Sequence, residues 1–160
     1  MGAILRKVIL ICVIGVLNGC ASGSEAGRSS ALPCNVFTGS ACFTISSGDI
    51  VTTQVVVDYM LYHVSIANIS TVTIYSGFNP SPRDAPANPW GGCRSVIGFG
   101  ECRERQHRDG IVEVIARPSK QAEYVHILAD GGDRTQRFLR TVHPCSSDAF
   151  STRCDAGLGR

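Results

Sequence analysis

The sequence predicts an α+β fold rich in β-structure, with a small antiparallel sheet of about five strands, one C-terminal helix and disulfide cross-links. Three observations predict it. Runs of β-branched and aromatic residues recur between positions 50 and 128. One later segment has its apolar residues at helical spacing. Six cysteines after position 33 fall into three near-neighbour pairs, which is typical of an exported, cross-linked domain.

Five segments have the composition of strands. They are residues 50–57, 59–67, 71–75, 111–116 and 123–128. Asp58 interrupts the first apolar run, so two strands are expected there instead of one. Asn68, Ile69 and Ser70 form the expected hairpin turn into the third strand. Five strands suffice for a sheet with one covered face.

Residues 134–142 form the predicted helix, with Asp133 as its N-cap. Its apolar side chains fall on one face: Phe138, Leu139 and Val142. Pro144 would stop the helix, because proline cannot continue it. The β-branched residues of this segment leave a sixth strand as the alternative.

A proline-rich stretch separates the two sets of predicted strands. Its prolines are Pro80, Pro82, Pro86 and Pro89. Because proline lacks a backbone donor, regular ladder pairing is not expected there. Residues 77–108 are therefore predicted as one long loop. A loop of that length in a compact domain is usually cross-linked or functional.

The six cysteines predict a disulfide framework. They are Cys34, Cys42, Cys93, Cys102, Cys145 and Cys154. Six cysteines allow 15 connectivities, but spacings of eight, nine and nine positions favour pairing within each neighbouring pair. Each such bridge would restrict the unfolded chain by about 2.5 kcal/mol. Zinc held by Cys93, Cys102 and His107 is the alternative, but no C-x-x-C pair is present, so neither metal nor cofactor is expected.

Near the N-terminus, an apolar run at residues 8–17 follows Arg6 and Lys7, and it ends at Leu17-Asn18-Gly19-Cys20. This segment resembles the signal peptide and lipobox of bacterial lipoproteins. The resemblance implies a signal peptide over residues 1–19 and lipidation, for example with palmitate, at Cys20. Two or more acyl chains anchor a protein stably to a membrane.

By the same resemblance, the Ala21-Ser22 pair after the cysteine implies delivery to the outer membrane, facing the periplasm. Residues 20–33 lack apolar periodicity and predict a flexible tether, with a reach of roughly 20 Å. Residues 34–160 then form a single small globular domain.

Charge argues against a nucleic-acid partner. The full chain has 15 basic and 13 acidic side chains, so removing Arg6 and Lys7 with the leader leaves a neutral protein. Nucleic-acid binding would need a basic face.

The densest charge cluster, residues 94–109, is the candidate partner-binding segment, together with the tryptophan just before it. The candidate residues are Trp90, Arg94, Arg103, Arg105, His107 and Arg108. The planar guanidinium group of arginine binds carboxylates through paired hydrogen bonds, and tryptophan is enriched in binding hot spots. The alternative for the charged segment is a solvated loop without a binding role. The alternative for Trp90 is a core residue that covers the end of the sheet.

No catalytic residues are predicted. The chain lacks G-x-S-x-G and H-E-x-x-H motifs. His63 and His126 lie in predicted strands, where a hydrogen-bonded imidazole is more often structural, and Glu113 and Glu123 merely lie on neighbouring strands. The expectation is a protein-binding module, for example an inhibitor or immunity protein against a cell-wall-degrading enzyme. The alternative is a structural subunit of an envelope or secretion assembly, and a hydrolase ranks last.

Overall fold

The structure is a computed structural model that describes residues 34–119, 121–148 and 151–153, with side chains up to Cys145. The predicted leader, Cys20, the tether and Cys154 lie outside these residues. The described residues all belong to one compact unit, Ala31–Arg160.

The described residues form twelve strands and one helix. In chain order they are β1 (Val36–Phe37), β2 (Ala41–Phe43), β3 (Ile50–Val56), β4 (Tyr59–Ile66), β5 (Ser70–Gly77), β6 (Gly91–Gly92), β7 (Glu101–Gln106), β8 (Val112–Arg117), β9 (Tyr124–Ala129), α1 (Asp133–Leu139), β10 (His143–Pro144), β11 (Ser146–Asp148) and β12 (Ser151–Arg153).

The main sheet has seven antiparallel strands in the order β3-β4-β5-β9-β8-β7-β6. A smaller sheet has the order β1-β2-β10, and β11 pairs with β12. The β-rich fold with one short helix is therefore confirmed, and the five predicted strands correspond to β3, β4, β5, β8 and β9.

The predicted number of strands is wrong, because β6 and β7 extend the main sheet and lie inside the stretch predicted as a loop. The β7 sequence Glu-Cys-Arg-Glu-Arg-Gln has no apolar alternation. It forms a strand because β8 pairs with it on one side, from Glu101↔Arg117 to Gln106↔Val112. On its other side it pairs with β6 and, through an isolated bridge at His107, with Ala87.

Helix α1 confirms a helix in this segment, so the alternative of a sixth strand is wrong. The helix ends at Leu139 and not at the predicted Val142, so Pro144 is not the residue that stops it. The N-cap is Gly132, so Asp133 lies in the first turn instead of at the cap. An acidic side chain in the first turn is favourable, because the exposed N–H groups there carry partial positive charge. Phe138 and Leu139, two of the three residues of the predicted apolar face, are buried; Val142 is buried as well but lies outside the helix.

The core lies between one face of the main sheet and the layer formed by α1 and the smaller sheet. Val64, Ile74 and Ile127 project from the main sheet into it. The ring of Phe43, on β2, packs edge-on against Tyr62 and Phe138, with centroids 6.1 and 5.4 Å away. Edge-to-face aromatic pairs add to the burial of apolar area.

The β4–β5 hairpin turns at Ala67 and Asn68, both of which have positive φ, 49° and 55°. The Ile69 N–H donates to the Ile66 carbonyl at 3.1 Å. Two consecutive left-handed residues define the type I′ turn, whose twist matches that of the flanking strands. The turn thus begins one residue earlier than predicted.

Two of the three predicted disulfides are present, Cys34–Cys42 and Cys93–Cys102, with Cα–Cα distances of 5.7 and 5.6 Å. Cys145 is disulfide-bonded as well. Because Cys154 lies outside the described residues, the pairing Cys145–Cys154 stays a prediction. Among the described residues, no helix has the length and apolar character needed to cross a bilayer.

Candidate functional site

The second face of the main sheet is not covered by the helix, and we call it the open face. Strand pairing aligns two rows of side chains across it. One row is Arg105, Glu113, Leu128, Thr73 and His63, and the next is Arg103, Ile115, His126, Tyr75 and Leu61. The chemistry of the site comes from these two rows and from the proline-rich segment that lies beside them.

Glu113 projects from β8 on this side of the sheet, where the proline-rich segment contacts it, and its side chain is completely buried. Its Oε2 accepts a hydrogen bond from Arg105 Nε at 2.6 Å and lies 2.8 Å from His107 Nε2. Its Oε1 accepts from the Arg83 backbone N–H at 2.8 Å and lies 2.8 Å from His126 Nε2. Four donors therefore converge on one carboxylate, as a buried charge requires.

Burial by itself raises the pKa of Glu113, but the hydrogen bonds from Arg83, Arg105, His107 and His126 outweigh it and lower the pKa to about 2. Glu113 is thus an anion at neutral pH. Since an anionic carboxylate only accepts, both imidazoles must carry a proton on Nε2. Burial lowers the pKa of His126 more than Glu113 raises it, so His126 is held neutral.

An open pocket of about 480 Å³ lies on the same face. Tyr59 and Tyr75 form part of its lining, with ring centroids 5.1 Å apart. Asn79 also lines it, and its backbone N–H donates to the Tyr75 hydroxyl at 3.0 Å. His126 and Leu128 belong to the same lining, so the pocket reaches the Glu113 cluster through His126.

The pocket can bind a polar group, because His126 Nδ1 is the ring atom that Glu113 leaves unused and it accepts a hydrogen bond. Within the described part of the chain, no serine or cysteine is hydrogen-bonded to His126. His126 is therefore not paired with a serine or cysteine nucleophile among these residues.

On the same face of the sheet as the pocket, two guanidinium groups lie against one indole. The Arg103 and Arg105 guanidinium carbons are 4.7 and 4.3 Å from the Trp90 ring centroid. Pairing of β6 with β7 brings Trp90 beside these arginines. Arg105 also donates from Nη2 to the Arg83 carbonyl at 2.8 Å, so it bridges the indole, the proline-rich segment and Glu113.

The structure divides the six predicted partner-binding residues. Trp90, Arg103 and Arg105 come together on the open face, with Trp90 and Arg105 half-buried. His107 is buried at 3% exposure as a partner of Glu113, so it supports the surface from below. Two lie apart from this group, Arg94 and Arg108, both of them exposed.

The sequence reasoning missed Glu113 and His126 as members of one cluster. Each is a polar residue inside an otherwise apolar strand, in Val-Glu-Val-Ile-Ala and Tyr-Val-His-Ile-Leu. Such residues must find partners when buried, and that is the signal that could have identified them. The contribution of Arg83 comes through its backbone N–H, which no sequence pattern reveals.

No protein-family model, curated protein or solved structure matches this chain.

Proposed function

We propose that this protein is a protein-binding module of the bacterial cell envelope and that it binds its partner through the open face around Trp90. The observation that carries the proposal is the position of Arg103 and Arg105 against the Trp90 ring, 4.7 and 4.3 Å from its centroid. Tryptophan and arginine are the side chains most enriched in binding hot spots.

The surface is held in place before any partner arrives. Arg105 is fixed by Glu113 from below and by the Arg83 carbonyl from the side. A side chain that is already ordered loses less conformational entropy on binding, so more of the contact energy remains as affinity.

Charge favours an acidic segment of the partner. Arg103 is exposed and forms no ion pair among the described residues, whereas Arg83 pairs with Asp109 and Arg117 with Glu101. An exposed guanidinium beside an indole offers two donors to a carboxylate. The pocket of about 480 Å³ on the same face is large enough for one side chain of the same partner.

The partner class that we propose is a cell-wall-degrading enzyme, which this protein would inhibit. Two features support an envelope location: the lipobox-like Leu17-Asn18-Gly19-Cys20 and the disulfide pairs. A lipid on Cys20 would anchor the protein in the outer membrane on its periplasmic side. The predicted tether would then keep the open face within a few tens of ångströms of that membrane.

A structural subunit of an envelope assembly is the second candidate, and one observation favours it. Strand β3 is one of the two outer strands of the main sheet, and Val55 on it is 73% exposed. An exposed apolar edge strand can accept a strand from a neighbouring subunit.

Photo-crosslinking in cells tests both candidates. A photo-reactive amino acid is placed at position 92, 55 or 134. Gly92 is exposed, pairs with Arg103 and has room for a side chain, so the Trp90 indole is kept. Arg134 on α1 is exposed and serves as the control. Crosslinks from position 92 to a wall-degrading enzyme, lost with Arg103→Glu and kept with Arg134→Glu, are expected. Crosslinks from position 55 to a constitutive large complex, with none from position 92, would contradict the inhibitor proposal and favour the subunit.

A further inference from the structure

A cluster of two sulfurs and one imidazole lies at the smaller sheet, away from the open face. Pairing of β2 with β10 aligns Cys42 with His143. His143 Nε2 lies 3.1 Å from Cys34 Sγ and 3.3 Å from Cys42 Sγ. All three atoms lie within 4.8 Å of one another. Cys34 and His143 are half-buried, so solvent reaches the cluster.

The hydrogen bond on the other side of the ring sets the tautomer of His143. Nδ1 lies 2.9 Å from the Thr141 carbonyl oxygen, which can only accept, so Nδ1 carries the proton. In the neutral ring the lone pair is then on Nε2, which faces the two sulfurs. While these sulfurs form a disulfide, neither has a proton to donate to it. A backbone carbonyl on the distal nitrogen is also the arrangement that orients histidine ligands of metal ions.

We propose that reduction of the Cys34–Cys42 disulfide converts this cluster into a binding site for a thiophilic divalent ion such as Zn²⁺. The ligands are the two thiolates and His143 Nε2. Ligands on one tetrahedral zinc ion lie about 3.5 Å apart for a sulfur–nitrogen pair and about 3.8 Å for two sulfurs, given its bond lengths. The two sulfur–nitrogen distances of 3.1 and 3.3 Å are already close to this, so the sulfurs alone must separate.

The reaction balances with a dithiol as the reductant. The dithiol transfers two electrons and two protons to the disulfide, which yields two cysteine thiols and the oxidised, disulfide form of the reductant. Binding of one Zn²⁺ then displaces both thiol protons. Three protein ligands leave the fourth position of a tetrahedral ion to water or, when the disulfide of Cys145 is reduced as well, to Cys145, which packs beside these two cysteines.

The second disulfide provides an internal comparison. Among the described residues, no histidine forms a possible metal-binding group with Cys93 and Cys102. His107 Nε2 bonds to Glu113 instead. The set Cys93, Cys102 and His107 is therefore not assembled as a metal site, and reduction of this disulfide supplies no imidazole.

Cobalt binding tests the site. The purified full-length chain is reduced with a phosphine, desalted without oxygen and titrated with Co²⁺ and then Zn²⁺. The expected result is a tetrahedral cobalt spectrum with thiolate charge-transfer bands that Zn²⁺ abolishes. His143→Ala should weaken Zn²⁺ binding by at least about tenfold, whereas Cys93→Ser/Cys102→Ser leaves it unchanged. The oxidised protein should show no such spectrum.

A measurement on the wild-type protein covers the case in which His143→Ala fails to fold. Nitrogen NMR of the reduced chain should show the His143 Nε2 resonance shift on addition of one equivalent of Zn²⁺, while Nδ1 stays protonated. An unmoved Nε2 resonance, or a cobalt spectrum that requires Cys93 and Cys102, would overturn the proposal.

Discussion

Arg105 and Glu113 form an ion pair that joins the interior of the sheet to its open face. Arg105 Nε donates to Glu113 Oε2 at 2.6 Å, and the two side chains are 16% and 0% exposed. The same guanidinium lies against the Trp90 ring. Because one end of this chain of contacts is buried and the other reaches the surface, a change at Glu113 must alter the proposed binding surface as well as the stability.

Glu113→Gln should destabilise the fold strongly. The neutral amide has one acceptor oxygen in place of two anionic ones, so it cannot accept from Arg105, His107 and His126 together. The pKa of about 2 against an ordinary 4.5 corresponds to a loss on the order of 3 kcal/mol. Urea unfolding followed by Trp90 fluorescence measures it.

The matched control is Glu101→Gln, whose carboxylate pairs with Arg117 and is 63% exposed. Exposed ion pairs contribute about 0–1 kcal/mol. Equal losses for the two variants would contradict the role assigned to Glu113.

Acidification should destabilise the wild-type protein in two steps. Burial lowers the pKa of His126 below 6.5. The contribution of neutral His126 to the free energy of unfolding is therefore complete above pH 6.5 and declines below it. The pKa of Glu113 is lowered from 4.5 to about 2, so its contribution is complete above pH 4.5 and is lost as the pH falls toward 2. Below pH 4.5, the difference in the free energy of unfolding between the wild type and Glu113→Gln should shrink. A difference that stays constant with pH would contradict the lowered pKa of Glu113.

Asp130→Ala should loosen the junction of β5, β9 and α1. Its Oδ1 accepts from the Gly132 N–H at 3.1 Å and from the Thr135 hydroxyl, and its Oδ2 accepts from the Thr71 N–H at 3.2 Å. Losing these bonds should cost about 1–3 kcal/mol. Asp130→Asn keeps one acceptor oxygen, so thermal denaturation should place its midpoint between those of wild type and Asp130→Ala.

Ala67→Gly should stabilise the protein, because Ala67 has φ of 49° and glycine adopts this conformation without a Cβ clash. The expected gain is about 0.5–1 kcal/mol, partly offset by the greater freedom of glycine in the unfolded chain. Ala122→Gly is the control, since Ala122 is exposed and is not among the residues with positive φ, and it should be neutral or destabilising. Chemical denaturation of both variants gives the comparison, and a loss for Ala67→Gly would show that the turn differs in solution.

Replacing Cys93 and Cys102 by serine should lower the free energy of unfolding by about 2.5 kcal/mol, because the loop that the bridge closes is short. The bridge also joins the start of β7 to the segment after β6. Non-reducing peptide mapping of the wild type should recover this pair together with Cys34–Cys42 and the predicted Cys145–Cys154 pair. Crossed pairs would contradict the local framework.

The sequence alone predicted the five apolar strands, the helix near the C-terminus and the two disulfides that the structure describes. These features depend on local information: residue periodicity, turn residues and cysteine spacing. The β4–β5 turn shows the limit of that information, since its position was off by one residue while the hairpin itself was right.

Only the tertiary structure decided that the charged segment Glu101–Gln106 is a strand, because pairing with β8 and not its own composition orders it. It also decided that Glu113, His107 and His126 meet, and that His143 lies against Cys34 across 109 positions of sequence. Long-range register determines which polar groups are buried together. The energy of a buried polar group depends on its partners, so sequence can mark Glu113 or His126 singly as a polar residue in an apolar strand, but the grouping of residues into either cluster required the alignment of the strands.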